Sequence, residues 1–120
     1  MSKTGRVLIV ARAPENLLKL LPRSPGRVVL AAHNCNEARD ALAKHADIEW
    51  VITESSFADG NWYSVLESSV EHGDRARLLV ACDRPSDRLR EEVSSHGGEG
   101  VILGREVAPW VVNLSESATA

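Results

Sequence analysis

The chain has 120 residues, a formal net charge of −3, and 43% apolar and 26% charged residues. That length suits one domain burying about two-thirds of its unfolded surface. The composition argues against a disordered chain, and the mild charge against a direct nucleic-acid partner.

The two cysteines, Cys35 and Cys82, form neither a disulfide framework nor a metal spacing. Both lie beside apolar segments, the setting of free thiols in a reducing compartment. No apolar run is long enough to span a membrane, and the opening MSKTGR lacks a signal-peptide core. The expected location is the cytoplasm.

Residues 1–5 read as a polar lead-in. Residues 6–11 (RVLIVA) form a continuous apolar run, the pattern of a strand buried on both faces. Pro14 suits the first turn of a helix, with Leu17, Leu18, Leu20 and Leu21 on its apolar face and Pro22 stopping it. Ser24-Pro25-Gly26 turns the chain into a second strand at 27–32. Asn34 and Glu37 make a capping-box pattern, followed by Ala38, Ala41, Leu42 and His45 at helical spacing. A third strand over 49–53 gives out at Glu54, and Asp59-Gly60 marks a turn. The next helix places Trp62, Val65, Leu66, Ser69 and Val70 on one face, and Gly73 ends it.

Residues 77–82 (RLLVAC) are a fourth strand. Pro85-Ser86-Asp87 opens a helix carrying Leu89, Val93 and His96, closed by Gly97-Gly98. Residues 101–103 are a short fifth strand. Val107, Trp110, Val111 and Leu114 mark a last helix, with Pro109 tolerable in its first turn. Residues 115–120 are expected to fray.

Strands alternating with helices imply a parallel sheet covered on both faces. Right-handed crossovers and five units favour the flavodoxin-like order 2-1-3-4-5. The expected architecture is a three-layer α/β/α sandwich, one domain over 1–120 with its core in 6–114. Leu8, Ile9, Val10, Val29, Leu30, Val51, Ile52, Leu79, Val80, Val101 and Ile102 are its expected core.

Such folds place their sites at the C-terminal ends of the strands, where Glu54 falls. Other candidates read blandly. His33, His45, His72 and His96 share no face, and the last three suit helix C-termini. Ser55-Ser56 has no base in a motif relation to it. Glycines 97, 98 and 100 lack the strand–glycine–helix order of a dinucleotide site. Asp83 reads as a solvated loop charge.

The stretches RVLIVARAP, VITESSFADG, LLVACDRP and GGEGVILGRE, in that order and spacing, resemble a receiver domain of the two-component response-regulator family. The resemblance covers nearly all of 6–114 and implies the CheY-like variant of the fold. It also implies where a phosphorylation site would stand, and there this sequence departs from the pattern. Ala11 and Arg12 occupy the places of the metal-binding acidic pair, and Glu54 that of the phosphoacceptor aspartate. Ala81 replaces the hydroxyl residue and Gly104 the lysine, with Arg105 one place on. The expectation is a degenerate receiver without metal, cofactor or enzymatic activity. Phosphoryl transfer needs a cation to neutralise the transferring oxygens, and magnesium sites are built from carboxylates and water.

Glu54 has three readings: a mimic of a phosphorylated aspartate, a structural partner of Arg12, or a drifted residue without a role. The pairing is favoured, since Arg12 and Glu54 fall at the ends of neighbouring strands and a guanidinium fork suits a carboxylate. The resemblance implies action through a protein partner: a histidine kinase, an output protein or a second copy in a homodimer. Its contact surface would draw on Arg88, Arg90, Glu91, His96, Arg105, Trp110 and Asn113. The alternatives are a receiver that accepts phosphate by an unusual route and a small-molecule sensor using the remodelled pocket.

Overall fold

The computed structural model describes residues 6–19, 28–45, 47–73 and 76–112. The expectations placed on Leu20, Leu21, Pro22, Ser24-Pro25-Gly26, Arg27, Asn113, Leu114 and the two ends lie outside the described residues, as does the side chain of His72.

Five strands make one sheet: β1 (Arg6–Val10), β2 (Val29–Ala32), β3 (Ile48–Glu54), β4 (Arg77–Cys82) and β5 (Gly100–Leu103). All neighbours are parallel, in the order β2-β1-β3-β4-β5. This is the predicted topology. The helices are α1 (Pro14–Leu18), α2 (Cys35–Lys44), α3 (Trp62–Ser68), α4 (Asp87–Ser95) and α5 (107–112), the last entered through a 3-10 turn over Gly104–Glu106.

The apolar runs alternate sides, as the period of a strand requires. Leu8, Val10, Val51, Leu78 and Val80 face one layer, where they meet Ala38, Leu42, Trp62, Val65 and Val93 of α2, α3 and α4. Val7, Ile9, Ile52 and Leu79 face the other, against Leu17 and Leu18 of α1 and Val107 and Val111 of α5. The central strands are thus buried on both faces, and Leu8, Val10, Val51 and Val80 have no exposed surface.

Four expected core residues are only half-buried: Val29, Leu30, Val101 and Ile102. They lie on β2 and β5, the edge strands, which have a neighbouring strand on one side only. Val70 is a second correction, being 68% exposed while Ser69 before it is buried. Residues Ser69–Gly73 wind as a π-helical turn. Its wider winding breaks the 3.6-residue period on which Val70 had been aligned with Trp62 and Leu66.

The stretch after Glu54 is more ordered than a loop. Ser56–Phe57 pairs antiparallel with Gly60–Asn61 in a short ribbon. Gly60 has φ +156°, and a Cβ there would lie 2.8 Å from Ser64 Oγ and 3.0 Å from the Cys35 sulfur. Glycine lets the ribbon close against α2 and α3.

Candidate functional site

The parallel register brings the strand ends together. Glu54 stands beside Ala81, Ala81 beside Ile102, and Cys82 beside Leu103. Ala11 follows β1 directly, and its N–H donates to the Ala32 carbonyl at 3.0 Å. A cavity of about 290 Å³ opens here, lined by Ala11, Glu54, Ala81 and Gly104 together with Asn16 and Leu17 of α1, Val107 of α5 and the apolar floor of Ile9 and Ile52. Four of the five residues singled out from the sequence therefore share one cavity.

The fifth, Arg12, joins through Glu54. Glu54 Oε1 accepts the Arg12 backbone N–H at 2.9 Å and the Arg12 Nε–H at 3.1 Å. The expected contact is present, but not as a fork: one carboxylate oxygen takes both bonds, and only Nε of the guanidinium takes part. The backbone N–H at the end of β1 fixes the oxygen, and the side chain approaches it edge-on. Arg12 is 73% and Glu54 33% exposed, so the pair remains largely solvated.

Gly104 carries a further contact. A Cβ there would lie 2.8 Å from Asp83 Oδ1. Asp83, read from the sequence as a free loop charge, lies over the place that a longer side chain at 104 would start from.

Magnesium requires near-octahedral oxygen ligation. Ala11, Ala81 and Gly104 offer no side-chain donor, and the one carboxylate lining the cavity already holds a guanidinium. Among the described residues no group of three or more His, Cys, Asp or Glu side chains could hold a metal ion. The donor set does not fit the ion.

Two features at the start of α2 lie beyond the sequence reading. The first is Asp59 of the ribbon turn, whose carboxylate accepts the N–H groups of Cys35 and Asn36, each at 3.0 Å. The Cys35 N–H, ahead of the Asn36 N–H, holds the Asp59 carboxyl below its usual range. A signal existed: Asn34 caps one N–H of α2, leaving the others in need of acceptors. Burial, with the Asp59 charge second, pushes the Cys35 thiol up to about 11.

The second is His33. Asn34 is the N-cap as expected, its Oδ1 accepting from Glu37 N at 2.8 Å. Glu37, however, reaches past the N-cap to accept the His33 N–H at 2.8 Å. The His33 ring then bridges two carboxylates, with Nδ1 2.9 Å from Glu37 Oε1 and Nε2 2.7 Å from Glu15 Oε2 of α1. The local half of this cluster is an i, i+4 spacing visible in sequence; Glu15 is brought in only by the β1–β2 pairing.

Of the proposed contact surface, Arg88, Arg90, Glu91, His96 and Arg105 are exposed and Trp110 is half-buried. Arg90 lies 3.4 Å from Asp87, and Arg88 3.9 Å from Glu92. His96 turns toward α3, its ring 4.9 Å from that of Tyr63, while its Nδ1 lies 2.7 Å from the Glu92 carbonyl at the end of α4. Trp110 packs edge-on to Trp50 at 4.7 Å on the opposite face of the sheet. His96 stays on the outside with the charged members of α4, and Trp110 lies apart from them.

No family model matches the chain, and no curated protein matches it. Solved structures do. The CheY-like response regulator receiver domain protein from Methanospirillum hungatei JF-1 superposes with a TM-score of 0.75 at 13% identity, covering 98% of each chain. The response regulator domain of CheB from Thermotoga maritima gives 0.75 at 17% identity, covering 97% of this chain and 96% of that one. The non-phosphorylated receiver domain of the stress response regulator RcsB from Escherichia coli gives 0.75 at 18% identity, covering 98% and 93%. With the five-stranded order and the helices on both faces, these matches identify the fold of this chain as that of response-regulator receiver domains.

Proposed function

We propose that this chain is a pseudo-receiver: a non-catalytic signalling module that works through protein–protein contact rather than metal-dependent phosphorylation. One observation carries the reading. The cavity at the strand ends is walled by Ala11, Ala81 and Gly104, and its single carboxylate is bonded to Arg12. A transferring phosphoryl group would meet neither the bound cation nor the carboxylate cluster such chemistry uses. Arg12 places a guanidinium beside Glu54, where an active receiver takes its positive charge from a metal and a lysine. The partner would be a kinase, an output protein or a second copy, met by the exposed charges of Arg88, Arg90, Glu91 and Arg105.

The test is incubation with a small acyl-phosphate donor at millimolar magnesium. Intact-mass measurement should show no added phosphate, and calorimetric titration with magnesium no saturable heat. A phosphate adduct lost in Glu54→Gln would support the alternative of an unusual phosphate acceptor and defeat the proposal.

The cavity itself favours a second reading, a small-molecule sensor. Its volume of about 290 Å³ and its apolar floor would admit a compact, mostly apolar ligand. A ligand bound only by the folded state must raise the melting temperature, and a thermal-shift screen would find it.

A further inference from the structure

We propose that His33 is a pH-dependent latch that clasps α1, one wall of the cavity, to the start of α2. Both ring nitrogens lie within hydrogen-bond distance of carboxylate oxygens, Nε2 of Glu15 and Nδ1 of Glu37. An ionised carboxylate only accepts, so both ring nitrogens must donate, which the imidazolium alone can do. With both carboxylates ionised, this arrangement is fully satisfied by the imidazolium form of His33.

Losing the proton would act selectively. Neutral imidazole keeps one N–H and presents a lone pair at its other nitrogen. Glu37 lies four residues from His33, is held by the His33 backbone N–H and belongs to the first turn of α2. That local bond is retained. With one N–H left, the ring can no longer bridge both carboxylates. Glu37 stays tied to His33 through the backbone N–H. Glu15, 18 residues away in sequence, is tied to it by the ring alone and is the partner released.

The element released is the one least able to hold itself. Helix α1 has five residues, and no side chain caps its first turn. Its Asn16 and Leu17, with Ala13 before it, line the cavity beside Glu54. Freeing Glu15 loosens that wall.

The charges around His33 are Glu15 of α1, with Lys19 nearby, Glu37 of α2, and Asp59 of the ribbon acting on Glu37. Glu15 first, then Glu37, holds the His33 imidazole above the usual histidine range. Its partners respond in kind: His33 holds both carboxyls below theirs, through the ring–Glu15 bond and, for Glu37, through the His33 N–H and then the ring. The folded pKa of His33 exceeds the unfolded one, so its contribution is complete below the unfolded value of about 6.5 and lost as pH rises through the raised folded value. Protonation of the two carboxylates ends the clasp at the acid side.

The test is an NMR titration of the His33 ring from pH 5 to 9 in the wild type, Glu15→Gln and Glu37→Gln, with amide hydrogen exchange of α1 corrected for intrinsic rates. The wild-type midpoint should lie above the ordinary histidine value and fall in each variant. Exchange of the α1 amides should quicken about two- to fivefold across that midpoint, the range for an exposed pair. In Glu15→Gln the exchange should lose its pH dependence while α2 stays protected. A His33 midpoint at the ordinary value and unmoved by Glu15→Gln, or α1 exchange that ignores the midpoint, would overturn the latch. All three residues are exposed, so the variants test the clasp without disturbing the core.

Discussion

Helices α1 and α2 follow neighbouring strands, yet their first turns are held by different means. In α2 the N–H groups of Cys35 and Asn36 are taken by Asp59, that of Glu37 by the Asn34 side chain, and that of Ala38 by the Asn34 carbonyl. It runs for ten residues with Ala38 and Leu42 buried. Helix α1 has five residues, a buried Pro14, no side-chain cap, and half-buried Leu17 and Leu18. The difference teaches where rigidity is kept: α2 is secured by its own cap and the ribbon, whereas α1 borrows its hold from His33 of the next unit. The cavity wall belongs to the borrower.

The largest expected effect contrasts the anchors of the two helices. Leu42→Ala empties a site that is 1% exposed and should cost about 2–5 kcal/mol in urea denaturation. Leu17→Ala, at a half-buried position, should cost about 1 kcal/mol. Equal losses would erase the distinction between the helices.

Acid sharpens the same contrast from the other direction. The Asp59 carboxyl titrates below its ordinary range because the Cys35 and Asn36 N–H groups bond to it. Its support of α2 is therefore complete above the unfolded value of about 3.9 and lost as pH falls through the lowered folded value. Amide shifts of Cys35 and Asn36 should move at that low midpoint and lose the transition in Asp59→Asn. Movement of these amides near neutral pH would mean that the start of α2 answers to His33 instead, and the two helices would not be separable.

The smallest expected effect lies at the cavity rim. A double-mutant cycle on Arg12→Ala and Glu54→Gln should give an interaction energy of about 1 kcal/mol or less, as for exposed pairs. Strict additivity would show that Glu54 is held by the Arg12 backbone N–H alone.

Much of the frame could be read directly from the sequence because its signals are local. RVLIVA, RVVLAA and RLLVAC each announce a strand by their continuous apolar runs, but the run of the second is no less apolar for lying at the sheet edge. Asn34, standing before an apolar period, announces its own helix. The convergence of Ala11, Glu54, Ala81 and Gly104 followed from strand ends and topology. What escaped depends on approach between distant segments. Asp59 reads as a turn residue until folding sets α2 beside it. His33 and Glu15 meet only because β1 and β2 are adjacent. Val70 fails because the 3.6-residue period does not continue through a turn that widens. The edge-on meeting of Trp110 with Trp50 joins segments far apart in sequence, although the helical spacing of Trp110 with Val107 and Val111 already turns it toward the sheet.

The two thiols have a practical consequence. Cys35 is buried, and its thiol is pushed up to about 11 by burial and then by Asp59, so it carries almost no nucleophilic thiolate at neutral pH. Cys82 is only partly covered and follows Ala81, which lines the cavity. A maleimide dye used near pH 7 should therefore label residue 82 in preference to residue 35 without any engineered cysteine. The native sequence carries its own attachment point for a reporter, one residue from the cavity whose occupancy and wall movement remain to be watched.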